Sequence, residues 1–188
     1  DLTWRDARYV LAQSARVNDP ADLDWITNGA GYAVNHKYGF GVVDAAAAVA
    51  LAPAWVNLGP MVTHSTGTTQ VNLPIPDADP TGVASPIVVA GSGIQDIEHV
   101  EIVFDADDHP YSGDLEVVLT APGGTLSVLT EAHAIPVGTT PVPFNGFRFG
   151  SVRHLDEPAD GTWTLTVRDL ATLDSGTFKS WSLTFRGH

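Results

Sequence analysis

The hydrophobic periodicity of the chain changes at Pro53, and this change constrains the fold more than any other feature. Before Pro53, apolar residues recur three or four positions apart, which is the spacing of a helix face. After it, they alternate with polar residues, as in the run Val100, Ile102 and Phe104. Strict alternation places every second side chain on one face of a strand. The sequence therefore predicts a short helical segment followed by a domain built mainly of half-buried antiparallel β-strands.

Two short helices are predicted before Pro53. Thr3 and Asp6 have the spacing of a capping box, which satisfies free backbone amides at a helix start. Asp44 is predicted to cap a second helix over residues 45–51, and Pro53 stops it. Faces this small cannot form a core by themselves, so we expect both helices to dock on a partner surface. The residues predicted to form the apolar face of the first helix are Trp4, Ala7, Val10, Leu11 and Ala15.

After Pro53, runs of alternating residues are separated by turns rich in glycine, proline and aspartate. The clearest runs are residues 71–75, 100–104, 163–167 and 181–185, and the turns are residues 75–82, 112–114, 121–124 and 174–176. Hydrophobic residues make up 44% of the chain, which is enough for a real core. We predict about eight antiparallel strands arranged as a β-sandwich of the jelly-roll type, preceded by a two-helix segment.

The net charge of −13 lies mostly after residue 52. Residues 1–52 hold four basic residues against six aspartates, whereas residues 53–188 hold five basic residues against 16 acidic ones. Nucleic acid is excluded as a partner, because phosphate binding needs clustered lysine and arginine. The acidic surface fits a calcium-rich extracellular setting, and it also fits simple solubility.

The chain contains no cysteine and no apolar run of the ~20 residues that a membrane helix needs. The lack of cysteine excludes disulfides, thiolate zinc sites and a cysteine nucleophile. Eukaryotic secreted domains are often held together by disulfides. The lack of cysteine is compatible with the cytosol and with many bacterial secreted proteins, and it disfavours a eukaryotic secreted origin. With the acidic surface, we expect a secreted, extracellular protein of bacterial origin without a membrane span, with the periplasm as the alternative location.

Several motifs occur in a fixed order along nearly the whole chain. Those of the first part are residues 2–6 (Leu-Thr-Trp-Arg-Asp), 25–31 (Trp-Ile-Thr-Asn-Gly-Ala-Gly) and 34–45 (Val-Asn-His-Lys-Tyr-Gly-Phe-Gly-Val-Val-Asp-Ala). Those of the second part are residues 97–100, 109–116, 119–125, 145–149, 161–165 and 176–183. Together they resemble the end of a kexin/furin-like subtilase, a serine protease of the proprotein convertase family. The resemblance implies that residues 1–52 are the C-terminal end of a subtilisin-like catalytic domain and that residues 53–188 are the P domain, also called the Homo B domain.

The same resemblance implies a non-catalytic role. P domains pack against the catalytic domain of the same precursor, stabilise it and influence its dependence on pH and calcium. The family's nucleophile lies in a Gly-Thr-Ser segment, which this sequence lacks. The tripeptide Asp174-Ser175-Gly176 mimics the family's aspartate motif, but it lies in a turn near the C-terminus, so we do not assign it. We expect no catalytic residue here, and the chain is expected to be part of a serine endopeptidase without being an enzyme by itself.

Two other interpretations remain open from the sequence. A secreted β-sandwich can be a binding module for carbohydrate or protein, without any protease partner. Five tryptophans offer candidate stacking surfaces, but Trp163 and Trp181 lie on apolar strand faces and are predicted to be core residues. A complete enzyme within this chain is the third interpretation, and no coherent set of nucleophile and base supports it.

An acidic cluster at one predicted strand end and turn is the candidate metal site. Its members are Asp105, Asp107, Asp108 and Asp114. Ca²⁺ takes six to eight oxygen ligands, and such a cluster supplies several of them. The sequence thus predicts Ca²⁺ as a candidate cofactor, with a solvated acidic turn as the alternative. Weaker candidates are Asp77 with Asp79 and Asp156 with Glu157, and structural roles are expected for His36, His109 and His154.

Overall fold

The computed structural model describes residues 1–188 and shows a helical segment followed by a β-sandwich. Helices α1 (Trp4–Gln13) and α2 (Ala45–Leu51) are separated in the chain by a small ribbon of β1 (Ile26–Thr27) and β2 (Ala33–Val34). A 3-10 turn at Ala52–Ala54 follows α2. Residues 1–52 are called the N-terminal segment below, and residues 53–61 are called the connector.

Nine antiparallel strands form the sandwich. They are β3 (Val62–Ser65), β4 (Thr69–Ile75), β5 (Asp79–Val89), β6 (Ile97–Ala106), β7 (Leu115–Thr120), β8 (Leu126–Thr130), β9 (Phe144–Ser151), β10 (Gly161–Asp169) and β11 (Gly176–Gly187). One sheet has the order β5-β10-β7-β8, and the other has the order β3-β11-β6-β9, with β4 also paired to β11. Counted from β4, these orders are 2-7-4-5 and 1-8-3-6, which is the arrangement expected of a jelly roll. The predicted mainly-β sandwich is confirmed, with the short β3 as an additional strand.

The core lies between the two sheets and contains two tryptophans. Trp163 on β10 and Trp181 on β11 are almost completely buried. Each indole N–H nevertheless has an acceptor, because Trp163 donates to the carbonyl of Ala159 at 2.8 Å and Trp181 donates to the hydroxyl of Ser85 at 3.0 Å. A buried indole without an acceptor would be costly. The prediction that both tryptophans belong to the core is confirmed.

The turn predicted at residues 75–82 is shorter than expected, because β5 already begins at Asp79. Its proline and aspartate content predicts a turn, but pairing with β10 draws the second half of it into the sheet. Gly82 lies in this part of β5 with a φ of +65°, and a Cβ there would approach the carbonyl oxygen of Val167 to 2.2 Å. Both the backbone conformation and the close approach of β10 therefore require glycine at this position.

Both helices begin where the sequence predicts. The Thr3 hydroxyl accepts a hydrogen bond from the Asp6 amide, and the Asp6 carboxylate accepts one from the Thr3 amide at 2.8 Å. The carboxylate of Asp44 accepts from the amide of Ala47 at 2.9 Å. The capping box and the second cap are thus confirmed.

The buried face of α1 differs from the predicted apolar face. Val10 is buried as expected, but Trp4 is 64% exposed and Leu11 is 42% exposed. The side chains that the helix buries are those of Asp6, Tyr9 and Val10. The predicted apolar face is therefore only partly buried in this structure, because α1 meets the sandwich through polar side chains.

The predicted boundary between residues 52 and 53 falls inside the 3-10 turn after α2. The first strand of the sandwich begins only at Val62. The connector between them runs along α1, where its Trp55 ring lies 6.2 Å from the ring of Tyr9. The domain division into residues 1–52 and 53–188 stays a prediction.

Candidate domain interface

The first contact between the N-terminal segment and the sandwich is a buried ion pair. Glu98 on β6 is 2% exposed, and the side chain of Arg5 on α1 is 12% exposed. The Nε atom of Arg5 lies 3.0 and 2.9 Å from the two carboxylate oxygens of Glu98, and its Nη2 also donates to Oε1. Nη1 of Arg5 donates to the carbonyl of Gly59 at 2.7 Å, so the same guanidinium also holds the connector. This fork geometry is the strongest arrangement that an arginine and a carboxylate can adopt.

The charge of Glu98 is stabilised in spite of its burial. Burial by itself raises the pKa of this carboxyl group, but the hydrogen bonds and the charge of Arg5, together with His188, outweigh it and hold the pKa below its usual value. The His188 Nδ1 atom lies 3.3 Å from Oε1 of Glu98. The hydrogen bonds to Glu98 also raise the pKa of Arg5. Both partners are therefore charged across the ordinary pH range.

Asp6 joins the start of α1 to the connector. It is fully buried, and besides capping the helix it accepts from the indole N–H of Trp55 at 3.0 Å and from the amide of Leu58 at 2.8 Å. The hydrogen bond from the Thr3 hydroxyl, followed by those from the connector, holds the pKa of Asp6 far below its usual value. One carboxylate thus fixes a helix end and the path of the chain that leaves the helical segment.

The second contact is made by Asn28, in the loop between β1 and β2. This residue is 4% exposed. Its Nδ2 group donates to the carbonyl oxygens of Arg153 at 3.0 Å and Leu155 at 2.9 Å, both in the sandwich. Its Oδ1 atom accepts from the amides of Ala30 and Tyr32, which shapes its own loop. All four hydrogen-bonding positions of the amide are therefore used, two within the loop and two across the interface.

Glu157 completes this second contact from the side of the sandwich. It is 3% exposed and accepts from the amide of Gly29 at 2.6 Å, from the Thr125 hydroxyl, and from Nδ1 of His154 at 3.1 Å. Burial opposes ionisation of Glu157, but these hydrogen bonds, led by the one to His154, hold its pKa below the usual value. The His154 ring in turn lies edge-on against Trp163, with 4.9 Å between the ring centres. The interface is thereby connected to the core of the sandwich.

The four aspartates predicted to bind calcium do not form one ligand set. Asp107 is paired with Lys179, and Asp108 accepts from the amide of Thr177 at 2.8 Å. Asp105 accepts from the amide of Asp107 at 3.1 Å. No group of three or more histidine, cysteine, aspartate or glutamate side chains has a geometry suited to a metal ion. Calcium binding at Asp105, Asp107, Asp108 and Asp114 stays a prediction of the sequence.

Asp114 belongs to a different group of carboxylates from the other three. Burial, followed by the negative charges of Asp169, Asp174 and Asp77, raises its pKa. Asp169 is fully buried and lies 3.1 Å from Nε2 of His109. The carboxylates whose charges act on Asp114 are thus those of Asp169, Asp174 and Asp77, and the 3-10 turn at Ser112–Asp114 lies between Asp108 and β7.

The weaker metal candidates and the histidines have other contacts. The carboxylate of Asp79 accepts from the amide of Thr81 at 2.8 Å, and that of Asp156 accepts from the Tyr32 hydroxyl at 2.8 Å. His109 and His154 are buried beside carboxylates, which agrees with the structural roles expected for them. His36 is partly exposed, and its Nε2 lies 3.9 Å from the carboxylate of Glu131.

The residues that make the interface lie in motifs that the sequence singled out, but their roles were not predicted. Arg5 falls in residues 2–6, Asn28 in residues 25–31 and Glu98 in residues 97–100. The alternation of residues 100, 102 and 104 gave no signal for Glu98, because a β-bulge lies between Ile97 and His99 and Ile97 is the residue that belongs to the core.

The buried pair of Arg5 and Glu98 is expected to contribute strongly to stability. Replacing either residue by alanine leaves the other charge without its partner, so each single variant should lose about 3–5 kcal/mol of unfolding free energy. Urea denaturation of Arg5→Ala, Glu98→Ala and the double variant gives the coupling energy, which we expect to be about 1.5–3 kcal/mol.

The control for this cycle is the exposed pair of Arg148 and Glu101, whose Nη1 and Oε1 atoms lie 2.9 Å apart. Arg148 is 69% exposed, so we expect a coupling of only about 0.2–1 kcal/mol there. Equal coupling energies for the two pairs would contradict the anchoring role of Glu98.

The lowered pKa values of Glu98 and Glu157 predict a loss of stability in acid. A carboxyl group whose pKa is lower in the folded state contributes its full stabilisation above the unfolded value of about 4.3, and loses it as the pH falls through the folded value. The unfolding free energy should therefore decrease below about pH 4. The unfolding free energy of Glu157→Gln should be lower at pH 7 than that of the unsubstituted chain, and it should decrease less steeply as the pH falls.

Glu131→Gln is the control for this pH series, because the carboxylate of Glu131 is 68% exposed. Its unfolding free energy should follow that of the unsubstituted chain from pH 7 to pH 3. If Glu157→Gln also showed the unsubstituted slope in acid, the assignment of this carboxylate as an ionised anchor would be wrong.

The comparisons with known proteins agree with the architecture. Residues 97–185 match the family model described as "Proprotein convertase P-domain". Over 99% of its length the chain is 29% identical to human proprotein convertase subtilisin/kexin type 7, of which it covers 24%. Over its whole length it is 32% identical to Furin-1 of Xenopus laevis and 30% identical to Protease KEX1 of Kluyveromyces lactis, covering 24% and 25% of those proteins.

The fold has a close counterpart among solved structures. The serine protease of Aeromonas sobria, solved in complex with the chaperone ORF2, superimposes on the whole chain with a TM-score of 0.84 and 24% identity, and 40% of that protease is covered. The chain spans about a quarter of the length of the curated relatives it matches. Residues 97–185 therefore belong to the P-domain family of proprotein convertases, and the chain resembles kexin/furin-type proprotein convertases over its whole length.

Proposed function

We propose that this chain is the non-catalytic region of a kexin/furin-type serine endopeptidase and that its sandwich holds the last segment of the catalytic domain in place. The observation that carries the proposal is the set of buried polar contacts between the N-terminal segment and the sandwich. Arg5 with Glu98 and Asn28 with the carbonyl oxygens of Arg153 and Leu155 fix the segment at two separate places. Buried polar contacts at two places can form only when the N-terminal segment lies in one position and orientation on the sandwich.

The outer surface of the N-terminal segment supports the same proposal. Trp4 is 64% exposed, Val43 is 56% exposed and Val49 is 73% exposed. Exposed apolar residues gathered on one short segment are typical of a surface that another part of the protein covers. We infer that the remaining part of a subtilisin-like catalytic domain covers them, so that the segment lies between that domain and the sandwich.

The stabilisation would follow from linking the two parts. A catalytic domain whose last segment is held by the sandwich loses less of its stability through unfolding at that end, because the segment cannot detach without breaking Arg5–Glu98 and the contacts of Asn28. Covalent connection through the connector keeps the two surfaces at a high effective concentration. In this account, the sandwich supports proteolysis without supplying a reacting group.

The same proposal covers the cellular location of the protein and the activity expected of the isolated chain. No helix of the structure has the length and apolar character that a membrane crossing requires. We propose a secreted protease and expect the 188-residue chain alone to hydrolyse no peptide. The alternative of a carbohydrate-binding module cannot use Trp163 or Trp181, which are buried, and Trp4 is its one largely exposed tryptophan.

The proposal is tested by removing the second contact in the complete protease. Asn28→Ala leaves two carbonyl oxygens of the sandwich without donors and should destabilise the protein by about 1–3 kcal/mol. We expect faster loss of peptidase activity on heating, with kcat/KM at 25 °C unchanged.

Asn57→Ala is the matched control, because Asn57 is exposed and donates only to the carbonyl of Asp1, at 3.0 Å. It should be inactivated at the rate of the unsubstituted protease. Equal inactivation rates for Asn28→Ala and the unsubstituted protease would contradict the proposal. Hydrolysis of a dibasic peptide by the isolated chain, sensitive to a serine-reactive inhibitor, would contradict its non-catalytic role.

A further inference from the structure

A cavity of about 360 Å³ lies where the N-terminal segment meets the hairpin between β7 and β8. From the N-terminal segment it is lined by Asp24 and Thr27, and from the sandwich by Gly124, Leu126 and Arg153. It is separate from the contact of Arg5 with Glu98 and adjoins the second contact, since Asn28, Gly29 and Thr125 also line it. The cationic side chain of Arg153 therefore lies in the same cavity as the apolar side chain of Leu126.

Arg153 is the unusual member of this lining. Its side chain is 11% exposed, yet none of its guanidinium N–H groups donates a hydrogen bond, and its Nε atom is buried without a partner. Burial lowers the pKa of Arg153 below its usual value, although the charge of Asp24 opposes this. Buried arginines are ordinarily paired, because an unpaired buried charge costs several kcal/mol.

Asp24 does not satisfy this guanidinium. Its Oδ2 atom lies 3.9 Å from Nη1 of Arg153, which is beyond hydrogen-bond distance. The same oxygen accepts from the backbone amide of His36, and this bond fixes the carboxylate within its own loop. The negative charge of Asp24 therefore lowers the electrostatic cost of burying Arg153, but no protein group accepts a hydrogen bond from this guanidinium.

We propose that this cavity binds a carboxylate, which accepts hydrogen bonds from the guanidinium of Arg153. The planar fork of an arginine matches a carboxylate with two parallel hydrogen bonds. The side chains of Leu126 and Val128 in the lining favour a ligand with a short aliphatic body behind its charged group. Asp24 and the net charge of −13 disfavour anions with more than one charge.

Two sources supply this chemistry: a free short-chain monocarboxylate and the side chain of a glutamate in another polypeptide. The probes are sodium butyrate and the capped peptide acetyl-Ala-Glu-Ala-amide, titrated separately into the 15N-labelled chain. The readout is the Nε–Hε resonance of Arg153, which we expect to move and saturate with a Kd on the order of millimolar. Sodium chloride at the same ionic strength is the blank.

The resonance is assigned by its loss in Arg153→Gln, and saturable changes at neighbouring amides should disappear in that variant. Arg148→Gln, which removes an exposed arginine, should bind as the unsubstituted chain does. Asp24→Asn should bind butyrate about three- to tenfold more tightly, because it removes a negative charge beside the site. That variant tests the proposal even if Arg153→Gln fails to fold.

Saturation by butyrate supports a site for free carboxylates, and saturation by the peptide alone supports a site for a protein side chain. Shifts that equal those of sodium chloride, or no shift up to about 100 mM of either probe, would overturn the proposal. Weaker binding by Asp24→Asn, or binding retained in a folded Arg153→Gln, would overturn it as well.

Discussion

The carboxylate of Glu98 is the group on which the placement of the N-terminal segment depends. It lies on β6 at the β-bulge between Ile97 and His99 and is almost completely withdrawn from water. Such a charge is tolerated only with a partner of good geometry, and Arg5 supplies that partner from α1. A helix that docked one turn away, or in another orientation, would leave the buried carboxylate of Glu98 without the hydrogen-bond donors of Arg5. The pair therefore selects one position for α1, which apolar contact alone would not do.

The rest of the interface repeats this principle with different groups. Asp6 is shared between the start of α1 and the connector, and Asn28 is shared between its own loop and the carbonyl oxygens of the sandwich. Glu157 accepts hydrogen bonds from both parts, and His154 connects it to Trp163 in the core. Hydrogen bonds of this kind depend on direction as well as distance. Two such groups of contacts, on α1 and on the β1–β2 loop, determine position and orientation together.

The sequence predicted those features that depend on local patterns. Alternation along β6, β10 and β11 placed Trp163 and Trp181 in the core, and Thr3, Asp6 and Asp44 marked the two helix starts. It did not predict the buried face of α1, because a helix periodicity argument counts apolar residues, whereas this helix contacts the sandwich through Arg5 and the connector through Asp6. The calcium site at Asp105, Asp107, Asp108 and Asp114 stays a prediction, because spacing along a turn does not fix the geometry of the side chains. The partners of Glu98 and Asn28 lie about 90 or more residues away in the chain, and no local pattern contains that information.

The central claim is that the N-terminal segment is held on the sandwich by buried polar groups, and amide hydrogen exchange of the isolated chain tests it most directly. The informative amides are those of Gly29 and Leu58, which donate to Glu157 and Asp6 and belong to no helix or strand. The account predicts that both exchange slowly, with opening free energies near that of the Phe104 amide in the core of β6. Exchange of both at the rate of an unstructured peptide, while Phe104 remains protected, would show that the segment is not docked and would contradict the account.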